Sequence, residues 1–345
     1  MTKKKIVCLF CILALFILIA GCGGSKGSDV QPGQTDAEQE QPPQKIELRF
    51  VSPFPEHASE HIGFWLFRDE VEKRLGDRLT IKYLGSEEVI GFFDQYEMLG
   101  KGAFEIGHLP GNLAENFLPI ASTLHLSLIK PWEERENGVY DILRQEFEDK
   151  MNIVYLGKNA GEGWDYCLYT NFKVDSLDDF KGKTFRVAPV YVAFLEGLGA
   201  GSVAMPGGEI YTAMERGVVD GFGWTPLGPM DYGWYEVTKY RIDPGFYPVG
   251  MGIFMNKDAF YGLPEDIQKE LEEIVKYIEK ESHAVMGEAV KKETQEIIEK
   301  GMEIIELPPP IAEEYVRKAF DFGWEAVIKA DPVLGPKLKE LVSPK

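Results

Sequence analysis

The stretch His57-Ala58-Ser59-Glu60-His61 places two histidines one helical turn apart with a glutamate beside the second. In that order, H-x-x-E-H, a helix offers two imidazoles to zinc and a carboxylate as base, so a secreted zinc hydrolase using His57, Glu60 and His61 is one chemistry the residues permit. No third-ligand motif follows, and His108, His125 and His283 are scattered at no metal-ligand spacing. The plainer reading makes the five residues the polar entry to a first helix. Other signatures are absent: Gly221-Phe222-Gly223 lacks the third glycine of a dinucleotide fingerprint, there is no P-loop, and no serine sits in a nucleophile elbow. Cys167, in Tyr166-Cys167-Leu168-Tyr169, lies on strand-like text among large side chains and reads as a buried structural thiol.

The chain opens with Met1-Thr2-Lys3-Lys4-Lys5, runs apolar from Ile6 to Ala20 and reaches Ile19-Ala20-Gly21-Cys22. A basic start, a short apolar run and small residues at its end make residues 1–22 a signal peptide, the run being short for a membrane span. Ile19 to Cys22 resembles the bacterial lipobox, which implies that Cys22 is acylated and fixes the chain to a membrane. Cys8 and Cys11 leave with the signal, so Cys167 is alone in the folded part and no disulfide framework forms. Residues 23–45 are polar and rich in Pro and Gly, a disordered tether. Without Lys3, Lys4 and Lys5 the formal charge moves from −19 to −22. So acidic a surface repels phosphate backbones and anionic lipid, which argues against nucleic acid as a partner.

From Ile46 the text alternates between strand-like and helix-like segments. Ile46-Glu47-Leu48-Arg49-Phe50 has strand periodicity, Ala58 to Leu75 is amphipathic, and Leu79 to Tyr83, Asn152 to Leu156 and Phe185 to Val187 read as further strands. Helices fall around Phe92 to Gly100, Gly138 to Asp149, Tyr191 to Leu198 and Gly208 to Arg216. Alternation of this kind argues an α/β fold. The longest tract runs from Pro264 to Lys300 and is closed by Gly301, with apolar positions at Ile267, Leu271, Ile274, Ile278, Val285 and Ala289. At 1.5 Å per residue it spans about 55 Å, too long for one domain face. Glu281, Ser282 and His283 break its heptad seam, so it is expected to pack on two domains in succession.

One tract is specific. Ser176-Leu177-Asp178-Asp179-Phe180-Lys181-Gly182-Lys183-Thr184-Phe185-Arg186-Val187 is followed by Leu198-Gly199-Ala200, Met205-Pro206, Glu209-Ile210-Tyr211-Thr212-Ala213-Met214 and Gly217-Val218-Val219-Asp220-Gly221. This string resembles the DctP-like solute-binding proteins of tripartite ATP-independent periplasmic (TRAP) transporters. A thinner likeness, including Gly102-Ala103-Phe104-Glu105-Ile106-Gly107, extends from about Ile46 to the final helices.

The resemblance implies a type II periplasmic-binding-protein-like α/β fold, two lobes with a hinge and the long C-terminal helix spanning both. Residues 46–163 with 252–291 are expected in lobe I, and 164–251 with 292–345 in lobe II. It also implies that Arg186 takes the carboxylate of a small organic acid, since a guanidinium gives two parallel donors to a planar anion. Trp224 is expected to wall the cleft. One branch of the family carries Glu-Trp where this chain has Gly223-Trp224, so a metal held as in that branch loses a ligand. Asp165, flanked by Trp164 and Tyr166, is placed near a position that contacts substrate or its metal. A carboxylate there needs a cation beside it, a divalent or sodium ion or a ligand ammonium, and its plain alternative is to face solvent. His57 completes the candidate contacts. No cofactor is expected with certainty; the expected partners are the acid ligand and the integral-membrane permease subunits of the transporter. The chain would work outside the cytoplasm, lipid-anchored, and not as an enzyme; a module serving a signalling receptor is the other non-enzymatic reading.

Overall fold

The computed structural model describes residues 45–343. Its strands form two mixed sheets. The first runs β2 (Leu79–Gly85), β1 (Ile46–Val51), β3 (Ile106–Pro110), β10 (Met251–Asn256), β4 (Ile153–Asn159), with β1 parallel to both neighbours and β10 antiparallel to both of its own. The second runs β11 (Glu303–Glu306), β9 (Tyr240–Pro248), β5 (Asp165–Thr170), β8 (Gly221–Trp224), β6 (Thr184–Val187), β7 (Gly201–Ala204). Strand β5 is antiparallel to β8 and β9, and β6 is parallel to β7 and β8. β4 and β10 are buried at every position, as strands covered on both faces must be.

Helices α1 (Ile62–Leu75), α2 (Gln95–Gly100), α3 (Thr123–Leu126), α4 (Pro131–Glu136), α5 (Val139–Met151) and α8 (Lys257–Tyr261) belong with the first half of the molecule. α6 (Pro189–Gly197), α7 (Ile210–Glu215) and α10 (Pro309–Ala330) attend the second sheet, while α11 (Leu334–Val342) returns to touch α3 and α5. The chain therefore crosses between sheets at 160–164, at 249–250 and along α9 (Glu265–Glu299). This is the expected two-lobed architecture.

α9 has the predicted bounds, with Pro264 capping its start and Gly301, at φ +99°, just past its end. Ile267, Leu271, Ile274, Val275 and Ile278 pack in one core with Phe64, Phe67 and Val71 of α1. Met286, Val290 and Ile297 lie in a different core, together with Tyr169 and Phe222 of the second sheet. Between them, just before the heptad seam breaks, the buried Glu279 receives hydrogen bonds from Arg135 at 2.7 and 2.8 Å. Removing either partner would strand a buried charge. Among the described residues no helix is long and apolar enough to cross a membrane. Cys22, the signal segment and the tether lie outside the described residues.

Candidate functional site

A narrow cavity of about 30 Å³ lies between the two sheets. The side of the first sheet supplies Phe54, Glu60, Phe92 and Asn112, and the side of the second supplies Trp164, Tyr166, Tyr191 and Trp224. Each comes from the end of an element: Phe54 from the turn after β1, Asn112 from the 3₁₀ turn after β3, Tyr191 from α6 and Trp224 from the last position of β8. Sites at strand ends are usual for open α/β sheets.

Arg186, on β6, is wholly buried behind this cavity and is not itself among its lining residues. Its Nε donates to Met205 O at 2.8 Å and its Nη1 to Gly223 O at 3.3 Å, while Nη2 has no partner. The guanidinium carbon stands 5.0 Å from the Trp224 ring centre and 6.0 Å from that of Phe92, both of which line the cavity. Burial pulls its pKa down to about 10, opposed by Tyr191 and Glu87, so the group stays charged at neutral pH. Among the described residues it forms no salt bridge. A buried cation with an unused donor is costly unless an anion completes it.

Trp224 joins the two halves. Its Nε1 donates to Glu60 Oε1 at 2.8 Å, and Ser59 N donates to Asp231 Oδ2 at 2.7 Å nearby. Gly228, at φ +113°, makes room for the first contact: a Cβ there would sit 2.6 Å from Trp224 Nε1 and 2.7 Å from Glu60 Oε1. Glu60 Oε2 has no partner, and burial lifts the carboxyl to about 8. Asn112 donates Nδ2 to Tyr166 OH at 3.3 Å and leaves Oδ1 unpaired, as is the Tyr191 hydroxyl.

A family model, bacterial extracellular solute-binding protein family 7 (DctP), matches residues 50–329. The chain belongs to that family. It is 22% identical over 281 residues to a monocarboxylate 2-oxoacid-binding periplasmic protein of Nostoc sp., covering 78% of this chain and 73% of the relative. Its fold is similar to a TRAP periplasmic solute-binding protein from Desulfovibrio salexigens with bound orotic acid, at TM-score 0.78, 20% identity and 86% and 97% coverage of the two chains. It is also similar to an extracytoplasmic solute receptor of Bordetella pertussis binding pyroglutamic acid, at TM-score 0.76, 20% identity and 86% and 99% coverage. The family works outside the cytoplasm as TRAP-type solute receptors.

Against this DctP-family frame, the expected contacts separate. Trp164, Tyr166 and Trp224 line the cavity, and Arg186 lies just behind it. Asp165 does not. Successive side chains of a strand point to opposite faces, and β5 turns Tyr166 to the cleft while Asp165 faces the other way, against Gly245. There Asp165 lines a second cavity with Lys130, Lys158 and His283, and burial raises its carboxyl to about 6 against the pull of Lys130. His57 is exposed and outside the cavity lining. The three side chains of the H-x-x-E-H motif also diverge: His61 is buried against Phe54 O and His108 Nδ1, and Glu60 meets Trp224. They share no point where one zinc ion could sit, which removes the hydrolase reading. Among the described residues no group of three His, Cys, Asp or Glu side chains is arranged to hold a metal ion.

A Cβ at position 223 would stand 2.4 Å from the Tyr191 ring, so Tyr191 fills the space a glutamate would need. Cys167 is buried, with its thiol pushed up by burial. Asn112 and Tyr191 were not among the sequence candidates, and Glu60 was weighed only as part of the zinc motif. Nothing local in the sequence marks them; they become a group only when segments far apart in the chain meet.

Proposed function

We propose that this receptor captures a small organic carboxylate in the cavity between its lobes and passes it, unchanged, to a TRAP-type membrane permease. The observation that carries the reading is Arg186: a buried guanidinium, held by two backbone carbonyls, with one nitrogen unused beside an aromatic cavity. A carboxylate supplies both the missing acceptor and the missing negative charge. The aromatic walls exclude water, which strengthens that pairing. The acids named for its relatives, a 2-oxoacid, orotic acid and pyroglutamic acid, are consistent with this class.

Ligand enters when the Glu60–Trp224 and Ser59–Asp231 contacts open and is enclosed when they re-form, a hinge motion about 160–164, 249–250 and α9. Cys22, acylated, holds the receptor at the membrane where the permease lies. Thermal denaturation against a panel of carboxylates tests the reading, because a ligand of the folded state raises the melting temperature by mass action. At least one acid should raise it, and Arg186→Met should remove that rise. Removing one member of a desolvated charge pair costs about 2–5 kcal/mol, roughly thirty-fold or more in Kd. A panel in which no acid shifts the protein counts against the proposal.

A further inference from the structure

The carboxylate reading leaves part of the cavity's hydrogen-bonding capacity unused, and the following rests on that reading. Four buried polar atoms around the cavity lack partners: Arg186 Nη2, Tyr191 OH, Asn112 Oδ1 and Glu60 Oε2. A ligand carboxylate answers the first. The tyrosine hydroxyl can donate or accept. The remaining two are oxygens whose other bonds are already assigned. Asn112 gives Nδ2 to Tyr166, which leaves Oδ1 as an acceptor. Glu60 receives the Trp224 indole on Oε1, which leaves Oε2. An acid with no other polar group would bury both oxygens unpaired, and an acid with a second anionic group would be set against Glu60 once that carboxyl is ionised.

We propose that the receptor selects acids that also carry an N–H donor, an ammonium or a ring or amide N–H, and that Glu60 Oε2 accepts it. In the ligand-free site burial holds the Glu60 carboxyl near pH 8. A donor on Oε2, and a cationic one above all, favours its ionised form. The ammonium that the sequence associates with Asp165 thus finds its carboxylate on the opposite lobe, at Glu60. Trp224 then has two tasks: it stacks near the Arg186 cation and fixes the rotamer of the residue that reads the ligand's nitrogen.

The test is calorimetric titration with matched pairs that differ only in the nitrogen: alanine and propionate, proline and cyclopentanecarboxylate, phenylalanine and 3-phenylpropionate, pyroglutamate and its ring-oxygen lactone. In whichever pair fits the cavity, the N–H member should bind at least roughly tenfold tighter, as expected where a site is built to bond a polar group. Glu60→Gln can still accept from Trp224 through its amide oxygen but offers N–H where Oε2 was, so it should abolish that preference with little change in ligand-free melting temperature. Equal binding of both members overturns the inference, as does undiminished preference in Glu60→Gln. Such an undiminished preference would place the acceptor elsewhere than on residue 60, and in either case an Arg186-dependent shift leaves the carboxylate reading standing. Binding of no acid at all overturns both.

Discussion

Two of the molecule's cavities differ in how their polar groups are satisfied. In the cleft cavity a buried arginine, a glutamate, an asparagine and a tyrosine each keep an atom without a partner. In the second cavity, of about 230 Å³, Lys158 is paired with Glu134 at 2.6 Å and Leu124 O at 3.1 Å, and Lys130 lies 2.8 Å from His283. The second is the larger, yet both of its lysines are already engaged. Unused hydrogen-bonding capacity beside a buried cation, and not volume, is what favours the cleft cavity in the carboxylate proposal.

The sharpest way to break that contrast is at Arg186. Arg186→Met should weaken acid binding by roughly thirty-fold or more, measured by calorimetry. Next comes Gly223→Ala, whose Cβ would meet the Tyr191 ring at 2.4 Å. Overpacking of this kind costs about 1–3 kcal/mol, to be read from urea denaturation of the ligand-free protein, and it should weaken binding too, because Tyr191 must move.

The third prediction concerns pH. Burial raises Glu60, Glu115 and Glu293 to about 8 from an ordinary 4.5, so the folded chain holds protons there that the unfolded chain has released. Their contribution to stability is complete below pH 4.5 and is lost as pH rises through about 8. Burial lowers His61 to about 4 and His125 to about 3 from 6.5, so their contribution is present above pH 6.5 and is lost on acidification. Between pH 6.5 and 8 only the carboxyls act, and the ligand-free melting temperature should fall. Glu60→Gln should make that fall shallower. Asp165→Asn should not alter it, since Asp165 is raised only to about 6.

The smallest effects are expected outside the cleft. Asp165→Asn and His57→Ala should each leave acid affinity within about twofold, as expected of side chains that make no contact with the bound molecule. A large loss in Asp165→Asn would instead make the second cavity part of the ligand path.

These expectations also show what one sequence makes legible. The bounds of α9 stand in Pro264 and Gly301, because helix ends have local chemistry. Arg186 stands in a long ordered motif. Trp164, Tyr166 and Asp165 are adjacent in the text, but a strand sends neighbours to opposite faces, and without the register of β5 the text does not say which pair looks inward. Glu60 appears in a motif suggestive of zinc, and only its approach to Trp224, 164 residues away, reveals its place.

The continuity of α9 has a mechanical consequence. Thirty-five residues of unbroken helix are clamped at one end in the core against α1 and at the other in the core of the second sheet. Two plates joined by such a beam do not swing on a free pivot. Any change in their angle is taken up as curvature along the beam or as sliding in its seats, and it carries an elastic restoring torque. The resting angle of the empty receptor and the grip on its cargo are then set by one stiffness, so substitutions near Glu279 and Ser282, far from the cavity, would tune affinity without touching a single ligand contact.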